Sequence, residues 1–308
     1  MKFIIGPALK VIGLALFIII ISQINFEIVF NVLNKINSKY IIFYFILFFI
    51  SLIIKVFRTY KCINLHNKDI KFIDIYGCVV DSVFYGFVTP GRLGEFSKAF
   101  KISTHGVSSF DAWEITLLER VVDLGLLFGV GATGILYFTL PSYVNFWAAL
   151  EFSLVYLTLF FLVLFYYSKI FYFANKKFGS NELKIKFKAV ESKKSKIIRL
   201  RYLIIIIPSS LLCLLLSFAQ LWLISKSIDI NIPIVFLGVS FSASTLASFL
   251  PVSIAGLGTR EASYIYFFKK IGIDTDSAFI ISMLDGLIFP IIFISLMILS
   301  RILFFRNK

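Results

Sequence analysis

The 308-residue chain is 59% hydrophobic and 18% aromatic, with a mean hydropathy of +0.93. That composition cannot clothe a water-soluble globule in polar surface, and its apolar runs are continuous, not alternating, which selects membrane-spanning helices over an outer-membrane barrel. The net charge of +14 then reads as basic loops on the cytoplasmic side of a membrane, and nucleic acid is not expected as a partner.

The N-terminal run MKFIIGPALKVIGLALFIIIISQ has the outline of a signal peptide but no small-residue cleavage site after it, so a retained helix is expected at 8–26. Five further spans are expected at 40–57, 112–138, 145–167, 203–225 and 277–305. Two less regular apolar segments, 72–88 and 233–250, each run into a Pro/Gly-rich stretch, TPGRLGEF and LPVSIAGLGTREAS. The fold class is therefore an all-α polytopic membrane protein in one transmembrane domain, 1–308. It has about six full spans plus two re-entrant broken helices, with eight full spans as the alternative.

Charge favours the re-entrant form. The loop 168–201 holds eleven Lys and Arg against Glu182 and Glu191, and the stretch with Lys55, Arg58, Lys61, Lys68 and Lys71 is also basic. Both belong on the cytoplasmic side only if segment 72–88 enters the membrane and turns back. That topology leaves both termini cytoplasmic in the cell's inner membrane, although Lys269 and Lys270 then fall outside.

Placing Glu95 on Glu261 also puts Gly106 on Gly272, Ala112 on Ala278, Trp113 on Phe279 and Glu119 on Asp285. The chain thus reads as two units, about 38–138 and 204–304, joined by the helix 145–167 and the basic loop 168–201. One helix between the units inverts the second relative to the first.

Pro90, Gly91 and Gly94 supply the break in the first motif, and Pro251, Gly256 and Gly258 the break in the second. Irregular backbone at membrane depth needs protein or a wet cavity around it. A new helix is expected near Leu93, with Arg92, Glu95 and Lys98 on one face. Arg260 and Glu261 occupy the matching place in the second unit. An arginine beside free helical N–H groups is a phosphate contact, whereas the plain reading of either motif is a salt-bridged surface loop. Within the helix 112–138, Glu119 and Asp123 share a face and Arg120 is expected to reach Asp123. Such charges face a bundle interior or a cavity, and structural pairing explains them as readily as function does. Asp285 is the equivalent in the last helix. Asp81 could reach the same cavity or simply cap. Cys62, Cys78, Cys213 and the two histidines have no metal-ligand spacing, so no metal, cofactor or catalytic residue is expected.

TPGRLGEFSKAF, ERVVDLG and LPVSIAGLGTREASYIYFFKKIGI together resemble the transmembrane family typified by the membrane part of lysylphosphatidylglycerol synthase, the flippase-like family, from about Leu9 to Phe304. The resemblance falls on Pro90, Arg92, Gly94, Glu95, Glu119, Arg120, Asp123, Gly256, Gly258, Arg260 and Glu261. It implies an inner-membrane protein handling an anionic phospholipid or a polyprenyl-phosphate-linked lipid, and stand-alone relatives accompany glycosyltransferases. The synthase's soluble aminoacyltransferase domain is not in this chain, so synthesis of lysyl-lipid is not expected of it. Three readings follow: lipid translocation without enzymatic activity, a membrane partner or scaffold of a synthase or glycosyltransferase, and a membrane-embedded lipid-phosphate transferase.

Overall fold

A computed structural model describes residues 5–66, 70–139, 142–178, 196–249, 253, 256–292 and 294–295. Every regular element among them is a helix, with no strand. The expected helix-breaking Pro251, half of the basic loop and the end of the last helix lie outside the described residues.

Helix α1, Ile5–Ile21, is followed by α2, Phe26–Asn34, turned 82° from it. The turn is set by Asn25, whose side chain accepts hydrogen bonds from the N–H groups of Glu27 and Ile28. Helix α3, Ser38–Asn64, is capped by Asn37 and runs for 27 residues, about 40 Å at 1.5 Å per residue. It extends well past the expected end at 57, so Lys55 and Arg58 lie inside a helix and not in a basic loop.

Helices α4, Phe72–Val88, and α9, Ile234–Ser248, are the two segments expected to be irregular. Both are regular helices, and the irregularity follows them. At 17 and 15 residues they reach only about 22–26 Å, short of the roughly 30 Å hydrocarbon core. After α4 the chain forms a short 3₁₀ segment, Pro90–Phe96, then α5, Ser97–Ser103. The new helix thus starts at Ser97, not near Leu93. Then come α6, Ser109–Thr139, α7, Ser142–Phe178, and α8, Lys196–Ser227. After α9, α10 spans Thr259–Lys269 and α11 spans Thr275–Met283, continuing through a π-helical turn at Leu284–Ile288. Five helices are long and apolar enough to cross a membrane, or six if α1 and α2 form one bent span.

Helices α3 and α8 form an antiparallel spine. Asn37 N donates to Ser227 O at 2.9 Å, Cys213 Sγ lies 3.7 Å from Ser51 O, Arg58 donates to Ser210 Oγ at 2.6 Å, and His66 meets the Tyr202 hydroxyl. Two apolar cores sit on this spine. One joins α4, α5 and α6 to the His66 end of α3. The other joins α9, α10 and α11 to the Tyr44 end. The outward faces carry Phe43, Phe49, Leu154, Phe161, Ile204 and Leu215 exposed, as suits contact with lipid tails. Gly106 and Gly272, paired by the shift that places Glu95 on Glu261, have φ of 82° and 78°. Helices α6 and α11 begin at Ser109 and Thr275, at the same shift.

Candidate functional site

The first motif forms a tip that folds back on α4. Thr89 leaves the helix with ψ 140°, and its hydroxyl donates to Tyr85 O at 2.6 Å while accepting from Gly94 N at 2.7 Å. Gly91 and Arg92 both take left-handed conformations, at φ 62° and 53°. For arginine this costs on the order of 1–2 kcal/mol. Gly94 lies against the Tyr85 backbone, where a Cβ has no room, and Gly86 leaves the space that the Glu95 side chain fills.

Glu95 is held by two arginines. Arg120 Nη1 lies 2.9 Å from Oε2 and Arg92 Nη1 lies 4.0 Å from Oε1. Arg120 also donates to Arg92 O at 3.3 Å. Both guanidinium groups sit over the ring of Phe249, at 5.5 and 5.6 Å, a cation–π geometry. Phe249 caps the end of α9, so the tip after α4 meets the start of the break after α9. The expected Arg120–Asp123 pair does not form. Arg120 points along α6 towards the tip, and Asp123 turns to another helix.

In the second motif Gly256 and Gly258 have φ of 81° and 85°. Gly258 backs so closely on Gly13 and Phe17 of α1 that a Cβ would strike their backbone. Glu261, 0% exposed, accepts from Gly258 N at 2.5 Å and pairs with Arg260 Nη2 at 3.0 Å. A glutamate at this position closes the helix's own N-terminus. The free N–H groups expected to meet an anion are thus partly spent on Glu261. Arg260 Nη1 donates to Gly286 O at 2.6 Å. Gly286 lies in the π turn, and a side chain there would occupy the guanidinium's place. Beside it, Asp285 accepts from the Tyr264 hydroxyl at 3.1 Å.

The two motifs border one cavity of about 150 Å³. Its polar wall is Lys55, Arg92, Glu95, Gln220, Arg260 and Asp285, and its apolar wall includes Tyr44, Phe48, Phe87 and Phe241. Gln220 is 6% exposed, and its side-chain NH₂ has no hydrogen-bond partner among the described residues. A buried donor left unmade costs about 1–3 kcal/mol, so it is a site that a ligand oxygen would relieve. Of the sequence-derived residues, Arg92, Glu95, Arg260 and Asp285 line this cavity directly. Arg120 and Glu261 adjoin it through Glu95 and Arg260.

Lys98, Glu119 and Asp123 form a separate, interior cluster. Glu119, 1% exposed, accepts from the Thr59 hydroxyl at 2.8 Å and the Lys98 ammonium, and the Arg58 Nε lies 3.3 Å away as an ion pair without a hydrogen bond. Asp123 takes two Arg58 bonds, at 2.9 and 3.2 Å. Lys98 therefore points to Glu119 and not to the side of Arg92 and Glu95, contrary to the expected shared face; the left-handed pair at 91–92 puts Arg92 out of phase with it, and the chain passes from a 3₁₀ to an α-helical turn between Glu95 and Lys98. Asp81 likewise pairs with Lys101 and is not among the residues lining the cavity. Arg58, Lys55, Tyr44 and Gln220 were missed as site residues. Arg58 carried one signal: an arginine three residues after Lys55, on an apolar helix with no break between them.

No curated protein and no solved structure gave a significant match to this chain. A family model does match, over residues 4–297. Together with the membrane-length helices that surround these tips, the match makes this chain a multi-pass integral membrane protein belonging to the lysylphosphatidylglycerol synthase transmembrane-region family.

Proposed function

We propose that the cavity binds the phosphate-bearing head of a membrane lipid and that the protein carries it between leaflets. The observation that carries this reading is the convergence of Arg92 and Arg260, from the two glycine-rich tips, on one cavity with Lys55 and Gln220. Arginine forks match phosphate oxygens, and the Gln220 amide supplies a neutral donor. The antiparallel run of α3 and α8, which head the two units, supports an inverted repeat. Broken helices meeting at a repeat interface are the layout of alternating-access carriers. On this reading the protein is a carrier and not an enzyme. The tip contact at Phe249 is the gate: separating Arg92 and Arg120 from that ring opens the cavity.

The test is lipid movement in phosphatidylethanolamine–phosphatidylglycerol vesicles holding the purified protein. A trace of fluorescently labelled phosphatidylglycerol or labelled polyprenyl phosphate is followed by external quenching. Arg92→Ala should slow movement at least tenfold, since Arg92 makes only a loose pair at 4.0 Å and little of the fold depends on it. An unchanged rate in Arg92→Ala would remove the phosphate role from the tip.

A further inference from the structure

We infer that Asp285 is a proton-carrying site of this carrier, taking up one proton together with the anionic head group. The inference rests on the transport reading above and names what drives it.

The argument is a contrast among acids. Glu95 has Arg92 and Arg120, Glu261 has Arg260, Glu119 has Arg58 and Lys98, and Asp123 has Arg58. Asp285 lines the cavity, yet no cation lies within 4.0 Å of its carboxylate among the described residues. Among the described residues its one hydrogen bond comes from the Tyr264 hydroxyl at 3.1 Å. The nearby Arg260 is committed to Glu261 and to Gly286 O. An ionised carboxylate at membrane depth is costly unless a cation neutralises it. Here nothing does so directly, and protonation is the remaining way to discharge it.

The groups that share the cavity with Asp285 decide the sign of the coupling. They are Tyr44 and Lys55 from α3, Arg92 and Glu95 from the first tip, and Arg260 from α10, with Tyr264 and the capped Glu261 beside them. A phosphate entering among Arg92, Lys55 and Arg260 brings negative charge next to Asp285. That charge favours the protonated acid, and by reciprocity the protonated acid favours the phosphate. The step is a simple addition: the carboxylate gains one proton, and that positive charge offsets one negative charge of the entering anion. Proton and anion then leave on the same face. Affinity is fully present at low pH, falls by up to tenfold per pH unit through the titration, and levels off above it. Asp285 lies in the π turn at Leu284–Ile288, a local form frequent at functional sites. Sodium is a poorer fit, because Lys55, Arg92 and Arg260 line the same cavity and repel a further cation.

The experiment uses the same vesicles, with labelled phosphatidylglycerol in one set and labelled polyprenyl phosphate in another, under an imposed proton gradient, a sodium gradient, or neither. The wild type should move one of the two lipids faster with the proton gradient, and the rate should fall as pH rises. D285N should lose both responses. Y264F keeps the carboxyl but removes its donor to the ionised form, so its pH profile should move to higher pH; this variant decides the matter if D285N does not fold. Wild-type movement that is indifferent to pH and to the proton gradient overturns the proton site while leaving transport standing. A response to sodium alone also overturns it. Failure of the wild type to move either lipid at any pH removes the transport reading itself, and the proton site with it.

Discussion

Replacing Arg58 with methionine tests whether the interior charge cluster holds the bundle together. Arg58 is 3% exposed, and its guanidinium joins α3 to Asp123 and Glu119 of α6 and to Ser210 of α8. Methionine fills much of the volume but strands Asp123, while Glu119 keeps Lys98 and Thr59. Breaking a buried pair from one side costs about 3–5 kcal/mol. The low end applies because Asp123 is 24% exposed and one acid keeps its partners. About 3 kcal/mol corresponds to roughly 6–12 °C in Tm. Cys62, Cys78 and Cys213 are all buried and free, so a thiol-reactive dye reports unfolding directly on heating in detergent. The double variant Arg58→Met with Asp123→Leu removes both charges and should regain most of the loss, since apolar replacement of a buried pair is often neutral or better. If the single variant melts with the wild type, or the double variant melts as low as the single, the cluster is not the tie described here.

Gly94→Ala should destabilise by about 1–3 kcal/mol, seen in the same thermal assay, because a Cβ there strikes the Tyr85 backbone and overpacks the tip. Gly258→Ala should lower stability by a similar ~1–3 kcal/mol, since φ is 85° and α1 leaves no space; suppression by trimming the Phe17 side chain would show that the α1 backbone is not the obstacle. Glu261→Gln keeps the cap's oxygen but removes the charge opposite Arg260, so lipid movement should fall more than Tm. Single cysteines at the exposed His105 and Lys269, in a background without native cysteines, should react with an impermeant thiol reagent from opposite faces of the membrane. Reaction from one face would make the two units parallel.

Much of the architecture was legible in the sequence because the bilayer imposes it. Continuous apolar runs marked the long helices, and the prolines and glycines at 90–94 and 251–258 marked the breaks. What hydropathy could not give was where a helix ends when its last turns are polar. Helix α3 continues to Asn64 because Arg58, Thr59 and Cys62 are buried by neighbours, and a residue-by-residue reading sees only a basic stretch. That error hid Arg58 and assigned Asp123 to Arg120. Local spacing allowed that pairing, but packing sent Arg120 to Glu95 across the tip.

The sequence by itself determined the solvent, the helical class, the two broken motifs and the charged residues that flank them, because each follows from composition or from backbone chemistry confined to a few residues. Tertiary structure decided which charges are spent on one another and which face a cavity. Glu119 and Asp285 match in the sequence, yet one is locked among Arg58, Thr59 and Lys98 while the other holds a single tyrosine hydroxyl. Their difference comes from side chains on other helices, brought within 3–4 Å only when α3, α8 and the two tips pack together.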